Sequence, residues 1–353
     1  MLASIMARLS LILIPLLSSF VSHLSSLPQS GPSEQIVVGG IYYFGYSGLN
    51  LAIVQDNLPI RVGDSLDIAG FDHDRSLIET SVMTATEKSA TDVAFVCCDK
   101  QRRLLIYIGL PGNSSRVIEG EASPHGSVHL DPAAYRLYEE ETIAMANAAR
   151  YGSSREDDSN GYAIADDPAA QKIELAMRTY AANRGLEIEK VLQDSGDVQQ
   201  RRASAALLGY ANRSTYQIEG LIRAINDPDE TVRNNALRAL AVLASAKGAT
   251  PINIDANVAP LIDLLFSKTW SDRNKSSFVL AQITKERDQT LLKELGDRAM
   301  APLIEGANWD TLHSTAFLEI LGRIGGIPEV QLNKLILSGD KTQIIRAAQA
   351  LKF

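Results

Sequence analysis

A spacing repeated through the carboxy-terminal half constrains this chain most. A small residue followed four positions later by a large aliphatic one occurs at Ala203–Leu207, Ala236–Leu240, Ser276–Leu280, Ala316–Ile320 and Ala347–Leu351. Residues four apart share one helical face, where the small one admits a neighbour and the large one fills the gap beside it. The pattern returns every 31 to 40 residues. A unit of that length holds two helices, which bury their apolar stripes only when units stack on one another. Stacked helix pairs are therefore expected from Asp197 onward.

The clearest unit opens Asp227-Pro228-Asp229-Glu230-Thr231-Val232-Arg233, with the proline and acids that suit a helix's first turn. Val232, Ala236, Leu240 and Leu243 then form one stripe. Ile218, Leu221, Ile222 and Ile225 stripe a preceding helix that ends at Asn226. These residues resemble the HEAT and HEAT-like repeat family, whose units read as a helix, an Asp-rich turn, Val-Arg and an Ala/Leu-rich helix. Asp229 to Arg233 matches that turn, Asp272-Arg273-Asn274-Lys275 keeps part of it, and His313 stands at the arginine place. The resemblance covers residues 167–353 and implies an α-helical solenoid whose concave face, built from successive inner helices, binds a protein partner. The last helix carries Ile344, Ile345, Ala348 and Leu351. Part of it is expected to pack on Leu332, Leu335 and Ile336, leaving the remainder exposed with Phe353.

The amino-terminal half reads differently. Ile36–Phe44 has strand composition, Leu49–Leu58 and Asp72–Lys88 have helical stripes, and Pro59–Leu66 reads as an irregular connector. Asp92–Cys98 and Leu104–Gly109 read as two strands joined by the polar turn Asp99–Arg103. That order is β-α-α-β-β over residues 36–112. It loosely resembles a POTRA module, through Ile41, Gly45, Leu58-Pro59 and Gly63-Asp64. Such a module implies an edge strand open to β-augmentation by a partner. Helices are further expected from Pro132 to about Tyr151 and from Asp167 through Gly185. The expected fold class is α+β: a small β-α-α-β-β module followed by an all-α HEAT-like helical solenoid. Residues 27–35 and 113–132 would be linkers, and residues 133–353 the repeat domain.

Arg8 is followed by the apolar run Leu9–Val21, too short to span a bilayer and suited to the core of a secretory signal. Residues 1–26 are thus expected to be a signal peptide, with the chain exported to a periplasmic or extracellular space and touching membrane only through this segment. A net charge of −8, with no run of Lys or Arg, argues against nucleic acid as a partner. Cys97 and Cys98 are the only cysteines. Neighbours on a strand point to opposite faces, so they are expected as small buried residues without a disulfide.

Several polar groups invite a chemical reading. Glu156-Asp157-Asp158-Ser159-Asn160-Gly161, closed by Asp167, spaces oxygens and a glycine much as a calcium loop does. The competing reading, a polar linker whose Asp167 caps the next helix, is preferred. His125, His129 and Asp131 lack a fourth metal ligand, and Asp72-His73-Asp74 fits helix amino-terminal polarity. Glu139–Glu141 reads as a solvated face, and Trp270–Lys275 as a cap with a solvated first turn. No nucleophile elbow, phosphate loop, His-Glu-x-x-His or Cys-x-x-Cys occurs. No catalytic, cofactor-binding or metal-binding residue is therefore assigned. The expected function is a non-enzymatic scaffold that binds a protein partner. The alternatives are a HEAT-like lyase or ligand carrier, the former implied by chromophore lyases in that family, and a calcium-dependent envelope assembly factor.

Overall fold

Alternating large apolar residues in β3 (Asp92–Val96) and β4 (Leu104–Gly109) build the centre of a four-stranded sheet. The computed structural model describes residues 34–153, 155–246 and 258–351. The expected signal peptide, the linker up to residue 33 and Phe353 lie outside them. β1 (Gln35–Phe44) runs parallel to β4, β3 runs antiparallel to β4, and β2 (Ser65–Asp67) runs antiparallel to β1, giving the order β2-β1-β4-β3. The connector expected to be irregular thus supplies a short edge strand. Val93, Phe95, Leu104, Ile106 and Ile108 face α1 (Leu51–Asn57) and α2 (Phe71–Thr86), where they meet Val54, Ile78 and Val82. Phe44, Ala94, Val96, Leu105 and Tyr107, on the opposite face, enter the core of the helical half. Every residue of β4 is buried, as a strand covered on both faces requires.

The helical half comprises α3 (Pro132–Arg150), α4 (Pro168–Ala181), α5 (Gly185–Asp194), α6 (Val198–Leu208), α7 (Thr215–Ala224) and α8 (Glu230–Ser245). It continues with α9 (Val258–Leu264), α10 (Trp270–Ile283), α11 (Gln289–Ala307), α12 (Thr315–Ile324), α13 (Glu329–Ser338) and α14 (Lys341–Ala350). The molecule is therefore mixed α+β and mostly helical. The five spaced small–large pairs fall on or at the end of α6, α8, α10, α12 and α14, and each of these helices packs on the next. At their contacts Ala203, Leu207, Ala236, Leu240, Leu280 and Ile320 are buried completely, as the spacing requires.

Three buried arginines clamp this row. Arg201 forks onto Asp227 (2.8 and 3.2 Å), Arg233 onto Asp272 (2.9 and 2.8 Å), and Arg273 reaches Glu305 (3.2 Å). Each also donates to carbonyls of the turn before its own helix: Ser195 for Arg201, Asp227 and Pro228 for Arg233, and Ser267 for Arg273. One guanidinium thus satisfies a helix entrance and the acid of the following unit, a geometry that lysine's single ammonium does not reproduce. His313, forty residues beyond Arg273, has no such acid and lies buried among aromatic rings.

Residues 113–131, expected only as a linker, are laid along these turns. Arg116, Glu121 and Gly126 donate backbone N–H groups to Phe266, Asn226 and Asp194, so the strap crosses the turns in reverse chain order. Ser114 touches the row itself, since its carbonyl accepts from Arg273. The sheet then lies over α10 and caps it: Asp92 accepts from the Trp270 N–H at 2.8 Å. In consequence every residue of α10 from Trp270 to Ala281 is buried.

Cys97 and Cys98 are joined as a vicinal disulfide, a correction to the expected free pair. The argument from alternating faces fails because β3 ends at Val96, one residue before the pair.

Candidate functional site

The row of packed helices meets earlier parts of the chain at two openings, one against α6 and α8 and one against α12 and α13. The first is a small cavity of about 80 Å³, partly open to solvent, whose apolar wall carries several polar groups. At about 10–15 Å³ for each water, it has room for about five to eight water-sized groups. Tyr138 and Glu141 of α3, Asn234 and Arg238 of α8, Tyr210 and Lys275 line it. Arg238 pairs with Glu156, the first residue of a short hairpin, β5 (Glu156–Asp157) and β6 (Ile164–Ala165), that packs over α8. Glu174 of α4 accepts from the Ala165 N–H at 2.6 Å and holds the other hairpin strand. Glu141, Arg238, Lys275 and two tyrosines thus line one small volume, with the buried Glu156 and Glu174 close by.

The electrostatics follow from that burial. Loss of solvent pushes Glu141 and Glu174 up to about 7, against the pull of Arg238. Burial raises Glu156 as well, and raises Tyr210 well above its ordinary value. The Lys275 ammonium is pushed down to about 7 by burial and then by the Arg238 charge. Among the described residues Lys275 has no hydrogen-bond acceptor and no carboxylate at ion-pair distance; its Nζ stands 6.0 Å from the centre of the Phe278 ring. Polar atoms of Glu156 and Asn234 are also buried without a hydrogen-bond partner. Acids and bases brought close to neutrality inside a cavity are the usual mark of a working site.

Lys275 should leave a trace in the pH dependence of folding. Its ordinary value is 10.5, and in the fold it is about 7. Between those values the unfolded chain binds a proton that the folded chain does not, so stability rises with pH across the window. Lys275→Met removes the amine. It is expected to stabilise the fold by about 1–4 kcal/mol below pH 7, the range seen when buried charge is replaced by apolar bulk, with the gain fading by about pH 10.5. Urea melts of both chains at about pH 6 and about pH 10 check this, and a gain that ignores pH would assign the effect to packing.

The second opening is a larger cleft of about 870 Å³ between the β3–β4 turn and the helices α12 and α13. Tyr42, Leu105, Trp309, Leu318, Leu335 and Ile336 give it an apolar and aromatic wall. Tyr107 anchors the rings behind that wall, 4.8 Å from Trp270, 5.0 Å from Trp309 and 5.8 Å from His313. His313 lines the cleft with its Nδ1 unpartnered, and burial together with nearby Lys275 pushes it down to about 3. Four cations (Lys100, Arg102, Arg103 and Lys341) and two carboxylates (Asp99 and Asp310) stand around the cleft. Arg103 and Asp99 pair with each other at 2.7 Å, which leaves a cationic excess in a chain of net negative charge.

The groups singled out from the sequence fare unevenly. Trp270–Lys275, expected to begin a solvated turn, is wholly buried because the sheet covers it, and it supplies residues to the row and to the cavity. Of Glu139–Glu141 the first two are solvated, but Glu141 turns into the cavity. The calcium-like oxygens diverge: Glu156 goes to Arg238, Asp158 accepts from Ser245, and Asp167 caps α4. His129 bonds its own loop at Ser127 while Asp131 caps α3, so the structure does not gather them with His125. Asp72 and Asp74 sit in the first turn of α2, as read. Among the described residues no helix is long and apolar enough to cross a membrane. No protein-family model matches the chain, and no curated protein matches it either.

Proposed function

We propose that this chain is an exported HEAT-like repeat protein that carries a ligand, and that the ligand occupies the cleft beside His313. Of the inner helices that a protein partner would need, α10 is completely buried with the chain's own sheet against it, and α6 is packed by α3 and α4. That cover directs the reading away from a concave-face scaffold and toward the carrier alternative. The observation that carries it is the cleft's make-up: a volume of ligand size, an aromatic wall, a buried imidazole nitrogen without a partner, and a cationic rim. Those features suit a molecule with an apolar or aromatic body and one anionic group. The HEAT-like solenoid itself is supported by the ordered packing of the five inner helices and by the arginine clamps between units.

Two dyes test the ligand class. The anionic 8-anilinonaphthalene-1-sulfonate is expected to bind once per chain and more tightly than neutral N-phenyl-1-naphthylamine. Reversing two rim charges, Lys100→Glu with Lys341→Glu, should weaken the anionic dye about tenfold, or about 1.4 kcal/mol, and leave the neutral one unchanged. Equal binding of the two dyes, or indifference to the rim, would sink the proposal. Export is tested apart from this: a reporter fused to residues 1–35 that stays in the cytosol removes that part of the reading.

A further inference from the structure

The small cavity shares no lining residue with this cleft, and its chemistry is distinct. Lysines on protein surfaces are protonated and hydrated, whereas Lys275 is 2 % exposed and has no hydrogen-bond acceptor among the described residues. A buried, unpaired amine facing a cavity is poised to act as a nucleophile. Glu141 lines the same space and can donate a proton, while the unpartnered Asn234 carbonyl oxygen can accept a hydrogen bond from a bound hydroxyl. From these placements we infer that Lys275 captures small aldehydes or ketones as a Schiff base, in a cavity that admits a carbonyl compound of two to four carbons.

The step balances without an outside redox partner. The Nζ lone pair attacks the carbonyl carbon, and a proton passes from nitrogen to oxygen to give a carbinolamine. The hydroxyl group takes up a proton, with Glu141 on the same cavity wall as its donor; water leaves and an iminium ion remains on Lys275. Burial supports both roles, since it holds Lys275 and Glu141 each near 7. The charges around the amine are consistent: Arg238 disfavours its protonation, Glu156 favours it, and His313 beyond it is neutral.

The test traps the adduct. The full chain is incubated at neutral pH with glycolaldehyde or, in parallel, with bulky pyridoxal, in each case with cyanoborohydride to reduce any imine to a stable amine. Peptide mass mapping then follows each lysine. A surface amine near 10.5 is almost wholly protonated at pH 7, so Lys275 is expected to gain the glycolaldehyde adduct at least roughly tenfold faster than surface lysines. It should be spared by pyridoxal, which exceeds the cavity. Glu141→Gln, which cannot donate the proton, should slow the adduct at Lys275 alone, and Lys275→Met should abolish the fast phase. Labelling of Lys275 no faster than surface lysines, or equally by both aldehydes, overturns the inference. The wild-type map decides this whether or not the variants fold, and neither result bears on dye binding in the cleft.

Discussion

Replacing Arg273 by alanine is expected to cost about 3–5 kcal/mol, the range for removing one partner of a buried ion pair. Arg273 is 1 % exposed and donates to the Ser267 carbonyl at 2.6 Å, to the Ser114 carbonyl, and to Glu305 at 3.2 Å. Its guanidinium also lies 4.9 Å from the centre of the Phe44 ring. Glu305 accepts from the Gly45 and Ser47 N–H groups (2.8 and 3.0 Å) and from the Ser114 hydroxyl. One side chain thus joins α10, α11, the strap and the end of β1. Its loss leaves the Glu305 carboxylate buried beside neutral donors only, and two carbonyls without a donor. Since domains are held by about 5–15 kcal/mol in all, most of the margin is at stake. Arg273→Lys keeps the charge but loses the fork, and should recover part of the deficit. Arg202→Ala removes a half-buried partner of Asp229 and is expected to cost much less, about 1 kcal/mol. Urea unfolding of the three variants gives the comparison. Equal costs at Arg202 and Arg273 would show that burial of the clamp is not what makes it matter.

The repeated helices were legible because their signal is local. Ala236 and Leu240 lie on one face of one helix, and stacking buries that face whatever the neighbours are. The sheet strands were legible for the same reason, through the short unbroken apolar run of Leu104 to Ile108, whose side chains go alternately to the two cores. β2 escaped notice because three residues carry no period, and Ser65–Asp67 is a strand only by pairing with the start of β1. The site was hidden by a different effect. Reading Ser271–Lys275 as a solvated turn assumes that water lies on one side of the helix. Here a sheet distant in the chain lies there instead, and polar residues are retained inside as clamps and cavity walls. Glu141 was hidden likewise, behind two neighbours that are solvated. One signal was available: Trp270–Ser277 is polar on every face although it lies amid apolar-striped helices, and its four charged or amide residues have no surface to occupy in a stack.

Deleting residues 341–353 is expected to destroy the cooperative melt and to drive aggregation. α14 has no helix stacked beyond it among the described residues, yet Ile344 and Ala348 are fully buried. From the sequence, α14 was expected to lie on Leu332, Leu335 and Ile336 of α13. It does touch α13, but its closest approach is to the end of α12. A Cβ added at Gly325 would lie 2.8 Å from the Ala348 nitrogen and 2.9 Å from the Ala347 carbonyl carbon, so two backbones meet there with no room for a side chain. Removing α14 therefore bares the socket of Ile344 on α12 and frees the half-buried sides of Leu335 and Ile336, next to Leu337, which is already exposed. A contiguous apolar patch at the end of a helical stack is a route to self-association. Two point changes separate lost packing from lost length. Ile344→Ala leaves the helix in place and should cost about 2–5 kcal/mol. Gly325→Ala pushes the helix away by its backbone and should cost about 1–3 kcal/mol. Light scattering and thermal unfolding of the three chains decide the matter. If the deleted chain stays monomeric and melts as the intact one does, α14 is a tail laid on the surface, and the row of inner helices ends at α12.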